Sequence, residues 1–196
     1  MIRFIGLIAF AIVLGFAAGF AYQTTQITQQ LMWDAKAQLL KRQNVNEVGF
    51  TDIMFTADID PRSEGFTAPQ NDTLNGAVWF DLTTEPQVLI QGPSTPGRYW
   101  VHELVTPGNV VTAYIGSLSD GNEGGTFLIA PKSWNGKVPD GITRLVQVDN
   151  EEVWDLYRFY SADANDFPTA DAERRDIEIV PLSEFILRLP LKPSAT

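Results

Sequence analysis

The chain has 196 residues, of which 44% are hydrophobic, and its formal net charge at pH 7 is −10. That length accommodates one globular domain with a sizeable core, or one domain and a membrane anchor. An acidic surface is repelled by phosphate backbones, which argues against nucleic-acid binding, and the lack of cysteine excludes disulfides and thiolate chemistry.

An uncharged apolar segment, Phe4 to Tyr22, begins the chain. A helix of this length spans about 28 Å, which is close to the hydrocarbon thickness of a bilayer. The alternative is a cleaved signal sequence ending near Gly19, but the apolar core of a signal peptide is usually shorter. We therefore predict a transmembrane anchor over residues 1–22, with the folded part outside the cytoplasm.

Small residues recur along one face of this predicted anchor, at Ala11, Gly15 and Gly19. The four-residue spacing permits close packing against another membrane helix. Since Gly and Ala are common in membrane helices, this pattern alone also fits a helix without a partner. We assign these three residues as the candidate packing site of the anchor.

Residues 23–50 are predicted to contain a polar linker and a short amphipathic helix. The helix formers lie between Leu31 and Gln43, and apolar residues recur at i, i+4 and i+8 from Leu31. This helix either lies on the membrane surface with Trp33 inserted or packs on the folded domain, and we expect the second arrangement because the helix is short.

Short segments rich in β-branched and aromatic residues follow, and Gly, Pro, Asn or Asp separates most of them. Their number and close spacing predict an antiparallel β-sandwich or barrel-like domain over residues 51–190, with 191–196 as a tail. A further strand is expected within Asp52–Ala57. The six main predicted strands are Ala77–Leu82, Val88–Gln91, Tyr99–Val105, Val110–Ile115, Phe127–Ala130 and Arg144–Val148.

The C-terminal part is predicted to close the domain. Residues 151–160 fit either a helix or a strand by their pattern. Residues Pro168–Arg175 predict a short helix, with Asp166 as a candidate N-cap. Residues Ile177–Val180 and Phe185–Leu189 predict two closing strands.

Several ordered motifs resemble the family called domain of unknown function 1254. They are Asn71-Asp72-Thr73-Leu74, Trp79-Phe80-Asp81-Leu82, Gly97-Arg98-Tyr99-Trp100 and the run GTFLIAPKSWNGKVPDGI over residues 125–142. The resemblance implies a β-rich domain whose activity is unknown. Longer members carry a second domain, of unknown function 1214, so it also implies a short, membrane-anchored form whose partner carries that second domain.

His102 is the only histidine, so any histidine-based acid–base chemistry depends on it. Strand alternation places it on one face with Trp100 and Leu104, which favours a structural role. Together with Asp72 or Glu103 it remains a weak catalytic candidate. No second histidine is present to build a metal site, so we predict neither a metal nor a cofactor.

Polar residues beside the predicted strands are the candidate binding residues. The turn that begins with Asn71 suits ligand binding through oxygen atoms, although such side chains also bond their own backbone at turns. The full predicted binding set is Asn71, Asp72, Thr73, Arg98, Tyr99 and Asn109.

These observations favour a binding or structural module in a protein complex of the cell envelope. We expect a single-pass protein of the bacterial inner membrane with its folded domain in the periplasm. One alternative is a hydrolase that uses His102. The other is a carbohydrate- or lipid-binding sandwich that uses surface aromatic residues such as Trp100, Trp134 or Trp154.

Overall fold

The computed structural model describes residues 27, 30, 32–34, 36–38, 41, 49–55, 72–108 and 110–190, without the side chain of Met54. The predicted anchor with Ala11, Gly15 and Gly19, the 191–196 tail, and the predicted site residues Asn71 and Asn109 lie outside these residues. Within the described part of the chain, no helix combines the length and apolar character needed to cross a bilayer.

Between residues 49 and 190, the described residues form nine strands and three helices. The strands are β1 Met54–Phe55, β2 Thr73–Asp81, β3 Gln87–Gln91, β4 Trp100–Val105, β5 Val111–Gly116, β6 Gly125–Pro131, β7 Arg144–Val148, β8 Glu152–Tyr160 and β9 Ile177–Pro181. The helices are α1 Ser117–Asp120, α2 Phe167–Arg175 and α3 Leu182–Arg188. The protein is therefore mostly β, as predicted.

The strands build two sheets. The first sheet has the order β1-β2-β8-β4-β5 and is antiparallel throughout, and the second has the order β7-β6-β3-β9. In the second sheet β6 and β7 are parallel, so the prediction of an antiparallel domain was wrong for this pair. A parallel pair needs a long crossover, and residues 132–143 provide it. Neither sheet closes on itself in the described residues, so the fold is a sandwich and the barrel alternative was wrong.

One core lies between the sheets. Its first-sheet members include Leu74, Phe80 and Phe159, and Leu89 and Ile129 contribute from the second sheet. Within the segment 151–160, which fits either a helix or a strand by its pattern, Glu152–Tyr160 form β8, the middle strand of the first sheet. Strand β2 pairs with β8 along its whole length and β4 pairs with residues 154–159, and a local periodicity cannot reveal these partners.

The predicted closing strand at Phe185–Leu189 was wrong, because these residues belong to helix α3 or follow it. Leu182 and Phe185 lie three positions apart, on one helix face, and cover Val88 on the outer face of the second sheet. The carboxylate of Glu85 accepts hydrogen bonds from the backbone N–H (2.8 Å) and the hydroxyl (3.0 Å) of Ser183 at the helix start.

A helical segment covers part of the outer face of the first sheet. The described residues between 27 and 41 are helical, and Met32 is buried against Ala77 and Trp79. The ammonium group of Lys36 lies 5.0 Å from the ring centre of Trp79 and 5.1 Å from that of Trp33. These contacts place the described part of this helix on the domain.

Candidate functional site

His102 lies in the core where the two sheets meet. Its Nδ1 is 2.6 Å from Oδ2 of Asp155 on β8, and its Nε2 is 3.3 Å from Oε1 of Gln91 on β3. Gln91 also donates a hydrogen bond (3.1 Å) to the backbone carbonyl of Asp176, which follows α2. We call Asp155, His102 and Gln91 the core hydrogen-bond chain, since it connects the first sheet to the second.

Aromatic rings enclose the core hydrogen-bond chain. The imidazole of His102 stacks on Tyr157 with 5.1 Å between ring centres, and it meets Trp100 edge-on at 5.8 Å. Burial raises the pKa of the Asp155 carboxyl, although the nearby His102 opposes this effect. Burial, with a smaller contribution from Asp155, raises the pKa of the Tyr157 phenol.

None of these core groups can meet a substrate from solvent in this conformation. His102 and Asp155 are both 0% exposed. The acids considered for His102 from sequence lie elsewhere, since Asp72 is exposed before β2 and Glu103 pairs with Arg158 (2.6 Å) on the opposite face of the first sheet. The arrangement can join sheets and hold a proton internally.

Arg98, one of the predicted binding residues, lies in a second buried polar cluster. Its two terminal nitrogens each donate to Asp166 at 2.7 Å, and its Nε lies 2.6 Å from a carboxylate oxygen of Glu173. Hydrogen bonds from Arg98 lower the pKa of Asp166 to about 2. Arg98 therefore holds helix α2 to the start of β4, and Asp166 bonds this guanidinium without capping the helix through its side chain.

The strand order brings the remaining described site residues to one edge. The N–H of Tyr160, at the end of β8, donates to the carbonyl of Tyr99 (2.9 Å), and Thr73 lies opposite Tyr160. The carbonyl of Asp72 accepts a hydrogen bond (2.8 Å) from the N–H of Ser161. Asp72, Thr73, Arg98 and Tyr99 thus surround the end of β8, and their role in binding stays a prediction.

Beside this edge lies the exposed part of the outer face of the first sheet. Three tyrosines are exposed there, with fractions of 39% for Tyr99, 54% for Tyr114 and 38% for Tyr160. Tyr114 lies opposite Glu103, whose carboxylate pairs with Arg158, so the polar pair lies among the rings. Burial and the nearby Glu103 charge raise the pKa of Tyr99. We call these five residues the tyrosine face.

Sequence reasoning did not find Asp155, Gln91, Tyr114 or Tyr160. On β8 both alternating sets of residues contain large apolar side chains, because helical residues of the 27–41 segment cover part of the outer face. The alternation that would have shown Asp155 pointing inward is therefore hidden. The exposed Tyr114 could have been found from its place between Ala113 and Ile115 on an alternating strand.

The structure thus defines the chain as a two-sheet β-sandwich with an enclosed polar centre. The protein belongs to the family described as "Protein of unknown function (DUF1254)", whose model matches residues 50–181. That match confirms the family resemblance seen in the motifs.

A solved structure is also similar to this chain. The chain is similar to the VPA0106 protein from Vibrio parahaemolyticus, with 29% sequence identity and a TM-score of 0.57. The similarity covers 65% of this chain and 32% of that protein, so the chain spans about a third of its length. No protein with a curated description matches the chain.

Proposed function

We propose that the protein is a membrane-anchored binding module of the bacterial envelope that acts through contact with another protein. The observation that carries this proposal is the tyrosine face. Tyrosine presents a large, rigid surface with a polar end, and it is enriched where proteins recognise one another. Three such rings on one exposed sheet face are more than a scattered set of surface residues.

The polar pair within this face suits a protein partner. Glu103 and Arg158 are already paired at 2.6 Å, with side-chain exposures of 22% and 26%, so a partner need not bring a net charge. A neutral contact of this kind is compatible with an otherwise acidic chain. The apolar segment 4–22, proposed as the anchor, would keep this surface near the membrane.

The partner we propose is an envelope protein that carries the domain of unknown function 1214. In VPA0106 the region similar to this chain accounts for 32% of the protein, so this type of domain occurs joined to additional polypeptide. That arrangement supports a protein as the occupant of the face.

The other two hypotheses receive less support from the geometry. A hydrolase would require His102 to reach a substrate, and its side chain is fully buried. Among the tryptophans considered for sugar or lipid binding, Trp100 is buried and donates a hydrogen bond to the carbonyl of Gly121 (3.1 Å). Trp134 and Trp154 are half-buried, so the three tyrosines are the more exposed aromatic side chains for a glycan.

Co-purification of the full chain from membranes in mild detergent tests the proposal. The variants are Tyr99→Ala with Tyr114→Ala, and the matched control is Leu187→Ala, an exposed apolar residue on α3. We expect the double variant to lose the partner at least tenfold while the control retains it. A partner-free monomer, or equal recovery with both variants, would contradict the proposal. A thermal shift with envelope glycans that disappears in the double variant would favour sugar binding.

A further inference from the structure

Backbone carbonyls fix the orientation of the Gln91 amide. Its Nε2 donates to the carbonyl oxygens of Gly92 (3.3 Å), Glu173 (3.1 Å) and Asp176 (3.1 Å). Oε1 is then the amide atom that faces Nε2 of His102, and an amide oxygen only accepts hydrogen bonds. Nε2 of His102 therefore carries a hydrogen.

A second hydrogen lies between Nδ1 of His102 and Oδ2 of Asp155, because two acceptors would repel each other at 2.6 Å. The other oxygen of Asp155, Oδ1, is buried and accepts no hydrogen bond from the described residues. An ionised carboxylate needs several donors when it is removed from water, whereas a carboxylic acid can donate its single hydrogen and stay neutral. The geometry therefore favours the acid form of Asp155 over the carboxylate.

The surroundings supply little to stabilise a charge on Asp155. Its neighbours across the first sheet are Val78 on β2 and Leu104 on β4, and Ile115 of β5 lies opposite His102. On the side of α2, the core hydrogen-bond chain contacts a backbone carbonyl, that of Glu173, through the amide of Gln91. The side-chain carboxylate of Glu173 is paired with Arg98.

Other titratable groups act from farther away and in opposite senses. The paired Glu103 and Arg158 lie on the other face of the sheet, and the first raises the pKa of Asp155 while the second lowers it. Tyr157 lies beside the core hydrogen-bond chain as a neutral phenol. Among the charged residues of α2, Arg174 and Arg175 lower the pKa of that phenol and Asp171 raises it.

We infer that Asp155 is a protonated carboxylic acid in the folded protein, that it donates its hydrogen to a neutral His102, and that this proton makes the joining of the two sheets sensitive to pH. An aspartic acid in an unfolded chain loses its proton near pH 3.9. Above that pH the folded state holds one proton more at Asp155 than the unfolded state does. The contribution of Asp155 to stability is thus complete in acid and is lost as the pH rises.

Comparison with Asp155→Asn isolates this proton, because the asparagine amide can donate the same hydrogen bond at every pH. We would measure urea unfolding of the full chain in mild detergent between pH 4.5 and 8.5. The unfolding equilibrium constant of the wild type, divided by that of the variant, should rise up to tenfold per pH unit. A ratio that does not change with pH would overturn the inference.

Asp149→Asn is the matched control. Asp149 is exposed and its hydrogen bonds with Lys132 and Thr112 lower its pKa, so its linkage has the opposite sign. Its contribution is present above pH 3.9 and is lost in stronger acid. The corresponding ratio should therefore stay constant from pH 4.5 to 8.5.

Nitrogen-15 NMR of the imidazole gives a test that does not depend on a variant, since the chain has one histidine and its ring signals need no assignment. We expect the folded wild type at pH 6 to show a protonated Nε2 and an unprotonated Nδ1. A ring with both nitrogens protonated would place the charge on His102 and overturn the neutral-acid assignment.

Discussion

Replacing Arg98 with methionine tests how far one buried guanidinium stabilises the domain. Methionine keeps an unbranched apolar stem but removes both bonds to Asp166, the ion pair with Glu173 and the bond to the carbonyl of Tyr160 (2.5 Å). Removing one partner of a buried pair costs about 3–5 kcal/mol. The carboxylate side chains are 25% and 14% exposed, so water relieves part of this cost and we expect a loss of about 3 kcal/mol.

The assay is chemical and thermal unfolding of the full chain in mild detergent at pH 7. A loss of about 3 kcal/mol lowers the midpoint by roughly 6–12 °C in a domain of this size. Arg188→Met is the matched control, because Arg188 pairs with Glu178 and Glu184 at the surface. Surface pairs contribute little, so the control should leave the midpoint nearly unchanged.

A third variant separates the effect of losing the bonds of Arg98 from the effect of leaving the carboxylates of Asp166 and Glu173 without a partner. Combining Arg98→Met with Asp166→Asn and Glu173→Gln removes the two carboxylate charges that would otherwise lack a partner. We expect this triple variant to be more stable than Arg98→Met alone. Equal midpoints for Arg98→Met and the surface control would refute the reasoning that this cluster holds α2 to the sheet.

Two further predictions concern α3 and the acid side of the stability curve. Phe185→Ala should lower the free energy of unfolding by about 3 kcal/mol, because the ring of Phe185 covers the second sheet. The control Leu187→Ala removes an exposed side chain of the same helix and should change that free energy little. Urea unfolding at pH 7 compares the two variants, and equal effects would contradict the packing assigned to α3. Asp166 has a pKa of about 2, so its contribution to stability is present above pH 3.9 and is lost as the pH falls toward 2. Asp166→Asn should therefore unfold with a smaller dependence on pH between 5 and 2, and an unchanged slope would show that this carboxylate is not held by its arginine.

Most of the strands were predicted from β-branched and aromatic residues bounded by turn residues. The strand Arg144–Val148 was predicted with the bounds that the structure has, because glycine and aspartate mark its two ends. Helix α3 was missed because Phe185 and Leu189 belong to a short apolar run that fits a strand equally well. The sheet under the helix, which decides between these two possibilities, is assembled from distant parts of the chain.

The polar sites were harder to predict than the strands. His102 was placed on the same face as Trp100 and Leu104, and all three are buried. Its partner Asp155 is 53 residues away in the chain, so local spacing carries no sign of the contact. Arg98 was predicted as a binding residue, and local spacing gave no sign of the carboxylates that surround it, because they come from α2 and the residue before it.

The pairing of β3 with β9 determines when this domain can finish folding during synthesis. Gln91 contacts the backbone of Asp176 across 85 residues of chain, and β9 follows directly. Strand β8, in the middle of the first sheet, is also made after both of its neighbours. Strands β2, β3 and β4 therefore have unpaired edges until β8 and β9 have left the ribosome. Unpaired strand edges readily associate with other chains. A stalled or truncated chain that ends before residue 152 would contain neither central pairing, and we expect it to be removed by quality-control proteases.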